Sequence, residues 1–388
     1  MSLNVIVLFG SKSCEHEISC ISANQVLHAL DPEKYHVMPV YISKNKEFYT
    51  GDLLFDLANY GDLDALCSKL EKVSLYKDGA KVYLAPVKRG LFNNKAEEVD
   101  VAFTVMHGAN GEDGAISGYL EMLGLPYTCS NILASAIAQD KTVQKVLIDQ
   151  AGIPTAPYFI CYQYDYLEKE QEYLEKADKL EYPVILKPAN LGSSIGISIA
   201  HDEAEFKKLI RESFQYDKKI LVEHCLSDFK EINCSIMGTE YGGKASVLEE
   251  VHKDDEILSF KDKYEGNGSK GSKKSGPSKG MANTSRIIPA RISEKLKEDI
   301  QGYSLKAYNM LGASGVIRID FMVDKNDDIY LEEVNNIPGS LAFYLWEKDG
   351  IDFSQLCDTL IKNAIAKYRD SEKKITSFDT NILEGYKK

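Results

Sequence analysis

Two segments late in the chain, residues 315–321 and 329–339, carry side chains that could bind a metal ion and a phosphate. Apolar residues alternate there with Arg318 and Asp320 in the first segment, and with two acids and Asn335 in the second. This alternation around a polar turn predicts two strands paired as a hairpin. Pairing would place Asp320, one of the two acids and Asn335 on one face, and their hard oxygen atoms suit Mg²⁺. A solvated hairpin face would produce the same pattern.

Arg318 lies two residues before Asp320, so the two side chains point to the same face of a strand. A fixed cation beside a metal-phosphate site can stabilise developing negative charge. The hairpin therefore combines the side chains that phosphoryl chemistry needs.

A loop rich in glycine and serine follows the apolar segment 182–186. Lys187 stands at its entrance, and Gly192, Ser193, Ser194 and Gly196 lie within it. Backbone N–H groups of such a loop can surround phosphate oxygens, and the lysine adds a positive charge. The alternative is an ordinary glycine-containing hairpin.

Two apolar segments in the first third of the chain, 4–9 and 101–105, each end in glycine-rich loops. Strands followed by glycine turns and helices predict an open α/β sheet, with a ligand crevice at the carboxyl ends of the strands. Glu15 and His107 lie just beyond these ends. Glu15 could contact a ligand amine or favour the following helix through its charge. His107 could contact a substrate or have a structural role.

Three further features are compatible with a nucleotide site. Glu223 and Glu231 lie at predicted strand ends, where acids can bind ribose hydroxyls or an adenine amine. Residues 265–286 are rich in glycine, serine and lysine and follow Lys263 and Tyr264. We interpret this stretch as a lid over a polyanionic substrate, the alternative being a mobile surface loop.

Composition limits the class of protein. The 388 residues are 44% hydrophobic and 27% charged, which is ordinary for a globular chain of two or three domains. A formal net charge of −13 argues against general nucleic-acid binding. The sequence contains no apolar run long enough to span a membrane. Eight scattered cysteines without a C-x-x-C motif predict reduced, buried thiols and a cytoplasmic location.

Five sequence blocks, occurring in this order, resemble those of the D-alanine–D-alanine ligases of the ATP-grasp superfamily. They are F-G-S-x-S-x-E-H-E-I-S at 9–19, H-G-x-x-G-E-D-G at 107–114, K-P-A-N-L-G-S-S-I-G at 187–196, R-I-D-F at 318–321 and E-V-N-N-I-P-G at 333–339. No block is decisive alone, but the ordered set is specific and spans most of residues 4–368.

The resemblance implies an α/β fold with three-domain ATP-grasp architecture, α+β in the ATP-binding part, behind an N-terminal Rossmann-like (pre-ATP-grasp) domain. We place the domains at 1–130, 131–222 and 223–388. The implied reaction is ATP-dependent formation of D-alanyl-D-alanine through an acyl phosphate, for peptidoglycan synthesis. ATP as a substrate, two Mg²⁺ ions (with Mn²⁺ as an alternative) and a homodimer are the expected partners.

The resemblance also assigns roles to individual residues at the amino-acid substrates. Glu15, with Ser193 beside it, is expected to hold the ammonium group of the first D-alanine. His107, Ser340 and Leu341 are expected at the second D-alanine.

Further roles concern ATP and the metal ions. The residues expected around ATP are Lys141, Lys187 and Ser194 at the phosphates, Glu223 at the adenine, Glu231 at the ribose, and Lys263 and Tyr264 in the lid. Arg318 and the Gly339 N–H are expected to form the oxyanion site. The expected Mg²⁺ ligands are Asp320, Glu333 and Asn335. This resemblance favours Glu333 over Glu332.

Two departures from the family pattern leave alternatives open. The predicted lid is longer and richer in glycine, serine and lysine than usual. After Gly339 the common F-T-x-x-S is missing, and residues 340–346 follow at once. A ligase with another acceptor, such as D-serine, D-lactate or a different amine, is therefore one alternative. A catalytically silent ATP-binding regulatory protein is another. A dinucleotide oxidoreductase is disfavoured because no G-x-G-x-x-G follows the first strand.

Overall fold

The computed structural model describes residues 2–88, 95–252, 285–377, 380 and 382–386. Within these residues the chain forms three β-sheets with helices packed on them. The predicted lid residues Lys263 and Tyr264, and most of 265–286, lie outside the described residues. The expected α/β class is confirmed.

The regular elements are numbered in chain order. The strands are β1 (Leu3–Gly10), β2 (Tyr35–Ile42), β3 (Phe48–Thr50), β4 (Glu71–Asp78), β5 (Lys81–Pro86), β6 (Glu97–Val99), β7 (Val101–Thr104), β8 (Tyr158–Tyr162), β9 (Val184–Pro188), β10 (Ser198–Ala200), β11 (Lys219–His224), β12 (Lys230–Thr239), β13 (Gly242–His252), β14 (Ser285–Ile287), β15 (Gly315–Val323) and β16 (Ile329–Asn335). The α-helices are α1 (His16–Ala29), α2 (Leu63–Lys69), α3 (Ala115–Leu123), α4 (Ile132–Gln139), α5 (Lys141–Gln150), α6 (Glu170–Lys179), α7 (Glu203–Ser213), α8 (Glu294–Leu311), α9 (Phe343–Lys348) and α10 (Phe353–Ser371).

The first sheet has the strand order β6-β5-β4-β3-β2-β1-β7. Strand β1 pairs in parallel with both β2 and β7, while the strands from β2 to β6 are antiparallel. After β1 the chain continues to β2, on one side of β1, and later returns to β7, on the other side of β1. The carboxyl ends of β1 and β7 therefore form a topological switch point, where open α/β sheets bind ligands.

The other two sheets are antiparallel. The second has the order β10-β9-β11-β8 and the third the order β14-β13-β12-β15-β16. Each has its own buried apolar core. The predicted boundary between 222 and 223 falls inside β11, and the chain changes sheets between 224 and 230. The predicted domain division remains a prediction.

Two short helices meet at Asp140. Helix α4 ends at Gln139 and α5 begins at Lys141, with Asp140 between them. The Asp140 carboxylate accepts hydrogen bonds from the backbone N–H groups of Thr142 and Val143. Aspartate is a favoured N-cap because it satisfies these N–H donors, so it starts a new helix here.

Helix α5 connects the second and third sheets to the loop that follows β9. The Lys141 N–H donates to the Ala189 carbonyl. The buried Gln144 side chain accepts from the Val334 N–H of β16 and donates to its carbonyl. One short helix therefore contacts both the start of the loop after β9 and the β15–β16 hairpin.

The last long helix, α10, packs on the first sheet. Its buried apolar residues belong to the same core as those of β1 and β7; they are Leu356, Cys357, Leu360, Ile361 and Ala364. The Tyr35 hydroxyl of β2 donates to Asp358 of α10 at 2.6 Å. The first and last parts of the described chain are thus packed together.

Candidate active site

Glu15 and His107 lie where β1 and β7 end, as the sequence predicts. Both line a polar cavity between the first and third sheets. Gly108 allows this approach: its φ is +71°, and a Cβ there would come within 2.3 Å of the Ser13 hydroxyl oxygen. The glycine therefore lets the loops that follow β1 and β7, which are neighbouring strands, pack closely together.

The loop after β9 reaches the same cavity. The Ser193 hydroxyl donates to the Glu15 carboxylate, and Gly192 and Ser193 both line the cavity. Ser193 and Ser194 have φ values of +53° and +60°, so the loop turns sharply at both residues. Ser194 lies with Lys187 in an adjoining small pocket.

His107 belongs to a buried hydrogen-bonded chain. The Ile337 carbonyl, 2.8 Å from Nδ1, can only accept, so His107 carries its proton on Nδ1. Nε2 then accepts from the Ser22 hydroxyl at 2.9 Å, and the Ser22 oxygen accepts from the Ser340 N–H at 3.1 Å. Burial lowers the pKa of His107, against the nearby Glu15 carboxylate. A neutral imidazole fits this arrangement.

Glu112 is a cavity residue that was not predicted for the site. Its two carboxylate oxygens accept from the N–H groups of Gly108 and Ile337, at 2.7 and 3.0 Å. Burial raises the pKa of Glu112 to about 8, and the charge of Glu15 acts in the same direction. Two carboxylates thus face one cavity, an arrangement that a cationic ligand would stabilise.

The predicted hairpin is present, with β15 paired antiparallel to β16. Arg318 makes a bidentate ion pair with Asp320, with distances of 2.6 and 2.7 Å. The Asn335 amide donates to Asp320 at 2.9 Å. The prediction that Asp320 and Asn335 share one face is therefore confirmed.

A bulge on β16 decides where the two adjacent acids point. Asp320 pairs with Glu333, whereas the next pair is Phe321 with Leu331, so Glu332 is the extra residue. As a result, both Glu332 and Glu333 line the cavity, although simple alternation would expose only one.

Lys141 and Glu333 form an ion pair at 3.0 Å across the cavity wall. Burial raises the pKa of Asp320 to about 6; Arg318 opposes this shift, while Glu231 and Glu333 add to it. In the described part of the chain, no three or more His, Cys, Asp or Glu side chains converge as a preformed metal site. The crowded acids and the Asn335 oxygen are nevertheless the hard donors that Mg²⁺ prefers.

A closed ionic triad adjoins the cavity, and its member Lys145 was not predicted. Glu223, only 1% exposed, contacts Lys145 Nζ at 2.6 Å and Lys187 Nζ at 2.7 Å. Burial alone would raise the pKa of Glu223, but the two lysines outweigh it and lower that pKa to about 2. Lys187 also lies 3.5 Å from Glu332.

The predicted residues divide by location. Those that line the cavity are Glu15, His107, Lys141, Ser193, Glu231, Arg318, Asp320, Glu333, Asn335 and Gly339. Lys187 and Ser194 line the adjoining pocket. Glu223 is buried in the triad, and Ser340 and Leu341 are buried behind Gly339. The roles assigned to all of these residues remain predictions.

Comparison with known proteins identifies the family. The family model for the D-ala D-ala ligase N-terminus matches residues 4–130, and the model for the D-ala D-ala ligase C-terminus matches residues 147–362. The chain belongs to the D-alanine–D-alanine ligase family. It is 40% identical over 383 residues to a D-alanine–D-alanine ligase from Thermosipho melanesiensis, with 98% of each chain covered. Members of this family are ATP-dependent ligases.

Solved structures of the ligase family have the same fold. The D-alanine–D-alanine ligase from Coxiella burnetii superposes with a TM-score of 0.78 at 26% identity, covering 96% of this chain and 98% of that one. VanG D-Ala:D-Ser ligase from Enterococcus faecalis superposes with a TM-score of 0.76 at 25% identity, covering 94% and 100%. The expected ATP-grasp architecture is confirmed.

Proposed function

We propose that this protein joins two D-alanine molecules in an ATP-dependent reaction that supplies D-alanyl-D-alanine for peptidoglycan synthesis. The observation that carries the proposal is the convergence of Glu15 and Ser193 with Arg318, Asp320 and Glu333 on one cavity, in a chain of this family. The first pair suits an amino acid, and the second group suits a phosphate.

The donor D-alanine binds first in this scheme. Its ammonium group is held by the Glu15 carboxylate, which lines the cavity. Its carboxylate oxygen attacks the γ-phosphorus of ATP, the bond from that phosphorus to the bridging oxygen breaks, and ADP leaves. A poor electrophile thereby becomes an acyl phosphate, which contains a good leaving group. The cavity must protect this intermediate from water.

The acceptor D-alanine then attacks with its neutral amine. A C–N bond forms at the acyl carbon, the C–O bond to phosphate breaks, and phosphate and a proton are released. The Arg318 guanidinium and the Gly339 N–H would stabilise the oxyanion that develops on the carbonyl oxygen. Asp320 holds the guanidinium by two contacts, so its orientation is set before the reaction.

Asp320, Glu333 and Asn335 are the residues that would hold Mg²⁺. A divalent cation offsets the repulsion between the two carboxylates and, when bound, neutralises charge on the transferred phosphoryl group. Lys141 and Lys187 lie beside these acids and are the proposed phosphate-binding lysines. Mn²⁺ shares the preference for oxygen ligands and is the alternative ion.

One structural observation accompanies the proposals about location and oligomeric state. No helix in the described ranges is long and apolar enough to cross a bilayer. We propose a cytoplasmic homodimer that binds small molecules. Sedimentation of the purified protein tests the dimer.

The experiment that tests the function combines ATP, Mg²⁺ and D-alanine and measures phosphate release with mass spectrometry of the products. D-Alanyl-D-alanine formed in proportion to phosphate is the expected result. Phosphate release no greater than in a mixture lacking D-alanine would contradict the proposal.

A second candidate function is ligation of D-alanine to another acceptor. It is motivated by residues 340–346, which replace the usual segment after Gly339, and a D-Ala:D-Ser ligase is among the similar structures. An equimolar panel of D-alanine, D-serine and D-lactate distinguishes the two functions. A mixed product in excess over D-alanyl-D-alanine would favour this candidate.

A further inference from the structure

The backbone just after Gly339 has a conformation that residues with side chains rarely adopt. Ser340, Leu341 and Ala342 have φ values of +51°, +52° and +49°, so three successive residues lie in the left-handed region. Glycine adopts this region freely, whereas other residues stay there only where the surrounding structure holds them. Contacts with the rest of the protein must therefore fix this segment, which begins beside a residue of the proposed oxyanion site.

Two side chains that follow β7 hold the chain on one side of Gly339. Glu112 accepts a hydrogen bond from the Ile337 N–H at 3.0 Å. His107 donates from Nδ1 to the Ile337 carbonyl at 2.8 Å. Both backbone polar groups of Ile337, two residues before Gly339, are therefore bound by side chains of one loop.

Ser22, on helix α1, holds the chain on the other side of Gly339. Its hydroxyl oxygen accepts from the Ser340 N–H at 3.1 Å. Ser22 is buried, and the scheme above gives it no role. Gly339 lies between the two anchored residues, Ile337 and Ser340, and lines the cavity. The position of its N–H thus depends on contacts made at both of its sides.

The hydrogen atoms in this chain of contacts leave Ser22 one arrangement. Neutral His107 carries its proton on Nδ1, so Nε2 is an acceptor and takes the single proton of the Ser22 hydroxyl at 2.9 Å. The Ser22 oxygen then accepts from the Ser340 N–H. Every donor in this buried chain has an acceptor, and a network satisfied in this way is rigid.

We propose that Ser22 is a positioning residue for the oxyanion site, which fixes the Gly339 N–H through the Ser340 N–H and His107. This inference rests on the proposed ligase function and deepens it. Negative charge develops on the carbonyl oxygen when the acceptor amine attacks the acyl phosphate, whereas phosphoryl transfer from ATP adds none there. A displaced Gly339 N–H should therefore slow amide formation and leave phosphoryl transfer unchanged.

The test is a rapid-quench measurement of the first turnover with ATP, Mg²⁺ and D-alanine. ADP reports phosphoryl transfer and D-alanyl-D-alanine reports amide formation, so each quenched sample gives both. The pH is set low enough to protonate most of the acceptor amine, because only the neutral amine attacks and amide formation then limits the wild type. Ser22→Ala should slow dipeptide formation by about 10- to 100-fold, the usual effect of a misplaced catalytic group, with the rate of ADP formation unchanged.

Three further variants complete the experiment. Ser22→Thr keeps the hydroxyl group, and both of its rates should stay close to those of wild type. Ser22→Cys substitutes a weak sulfur donor and acceptor, so its loss should be intermediate; it also serves if Ser22→Ala does not fold. The matched control is Ser304→Ala, which removes a buried hydroxyl that donates to the Ile300 carbonyl of its own helix at 2.7 Å. Both rates of this control should equal those of wild type.

The outcomes separate this inference from the proposed function. A Ser22→Ala variant that slows both steps equally would show a merely structural role, and one that slows neither would show no role; each overturns the inference while the ligase function stands. Wild-type protein that forms neither ADP nor dipeptide would overturn the function and the inference together. A selective loss of amide formation supports both.

Discussion

Two clusters of charged side chains meet helix α5 and differ in what surrounds them. The triad of Lys145, Glu223 and Lys187 is closed, since its side chains are 2%, 1% and 6% exposed. The Lys141–Glu333 pair faces the cavity, with side chains 14% and 27% exposed. Lysine and glutamate occur in both, so residue type does not decide their role. Burial separates them: Lys145 and Glu223 are enclosed by protein, whereas Lys141 and Glu333 line the cavity and can exchange partners with a ligand. Lys187 belongs to the triad and also lines the adjoining pocket, so it connects the two clusters.

We expect a substitution in the closed triad to lower the stability of the fold more than a substitution in an exposed ion pair. Glu223→Gln would leave Lys145 and Lys187 buried without their shared anion. Breaking a buried ion pair from one side typically costs about 3 to 5 kcal/mol in the free energy of unfolding. Urea denaturation measures this loss. Glu98→Gln, which breaks an exposed pair with Lys81, is the matched control and should change stability little. Equal losses in the two variants would remove the distinction between closed and open pairs.

The open cluster should affect activity most. Glu333→Gln removes an anionic ligand, and we expect kcat to fall by about 10²- to 10³-fold, equivalent to about 3 to 4 kcal/mol. The unfolding midpoint should change little, because the Glu333 side chain is partly exposed. Phosphate-release kinetics and thermal melts measure the two effects. Glu332→Gln, at the bulge, is the control with a smaller expected loss; a larger loss there would transfer the metal role to Glu332.

The triad should also make stability depend on pH. The pKa of Glu223 is about 2 in the folded protein, against 4.5 for an ordinary glutamate. Its contribution is therefore fully present above about pH 4.5 and is lost as the pH falls toward 2, amounting to about 3 kcal/mol. The other charged or titratable groups facing Glu223 are Lys145, Lys187 and Tyr158. The stability difference between wild type and Glu223→Gln should shrink over this range; a constant difference would contradict the assignment.

Arg318 lines the same cavity as the Lys141–Glu333 pair, and its substitution should reduce activity by a smaller factor. Arg318→Ala should lower kcat by about 10²-fold through loss of oxyanion stabilisation. ATP binding should persist, because the proposed phosphate lysines are intact. Equilibrium binding of a non-hydrolysable ATP analogue measures this. Loss of ATP binding would make Arg318 a phosphate-binding residue instead.

Local patterns in the sequence predicted part of the cavity, whereas Lys141 and the choice of Glu333 came from the resemblance to the ligase family. The alternation around Arg318 and Asp320 predicts the hairpin, and the glycine loops mark the strand ends that carry Glu15 and His107. These features depend on neighbours in sequence, so their geometry follows from strand periodicity. The approach of Glu332 to the cavity was missed because a bulge is not visible in the alternation. Glu112 was also missed, because its contact with the Ile337 N–H forms only in the folded protein.

Local sequence patterns could not predict the closed triad or the contact between Glu249 and Tyr344. Lys145 lies on a helix with many polar residues, where a lysine is normally exposed. Its burial results from packing against β11 and β16, which are far away in the chain. Glu249 and Tyr344 are 95 residues apart and meet only in the folded protein.

The packing of α10 on the first sheet has a consequence for how the chain folds during synthesis. The ribosome releases the N-terminal residues first, and N-terminal units usually fold before the rest is made. Here the core of β1 and β7 includes Leu356, Leu360 and Ile361, which are translated more than 200 residues later. The N-terminal sheet therefore lacks part of its apolar core until α10 has been synthesised.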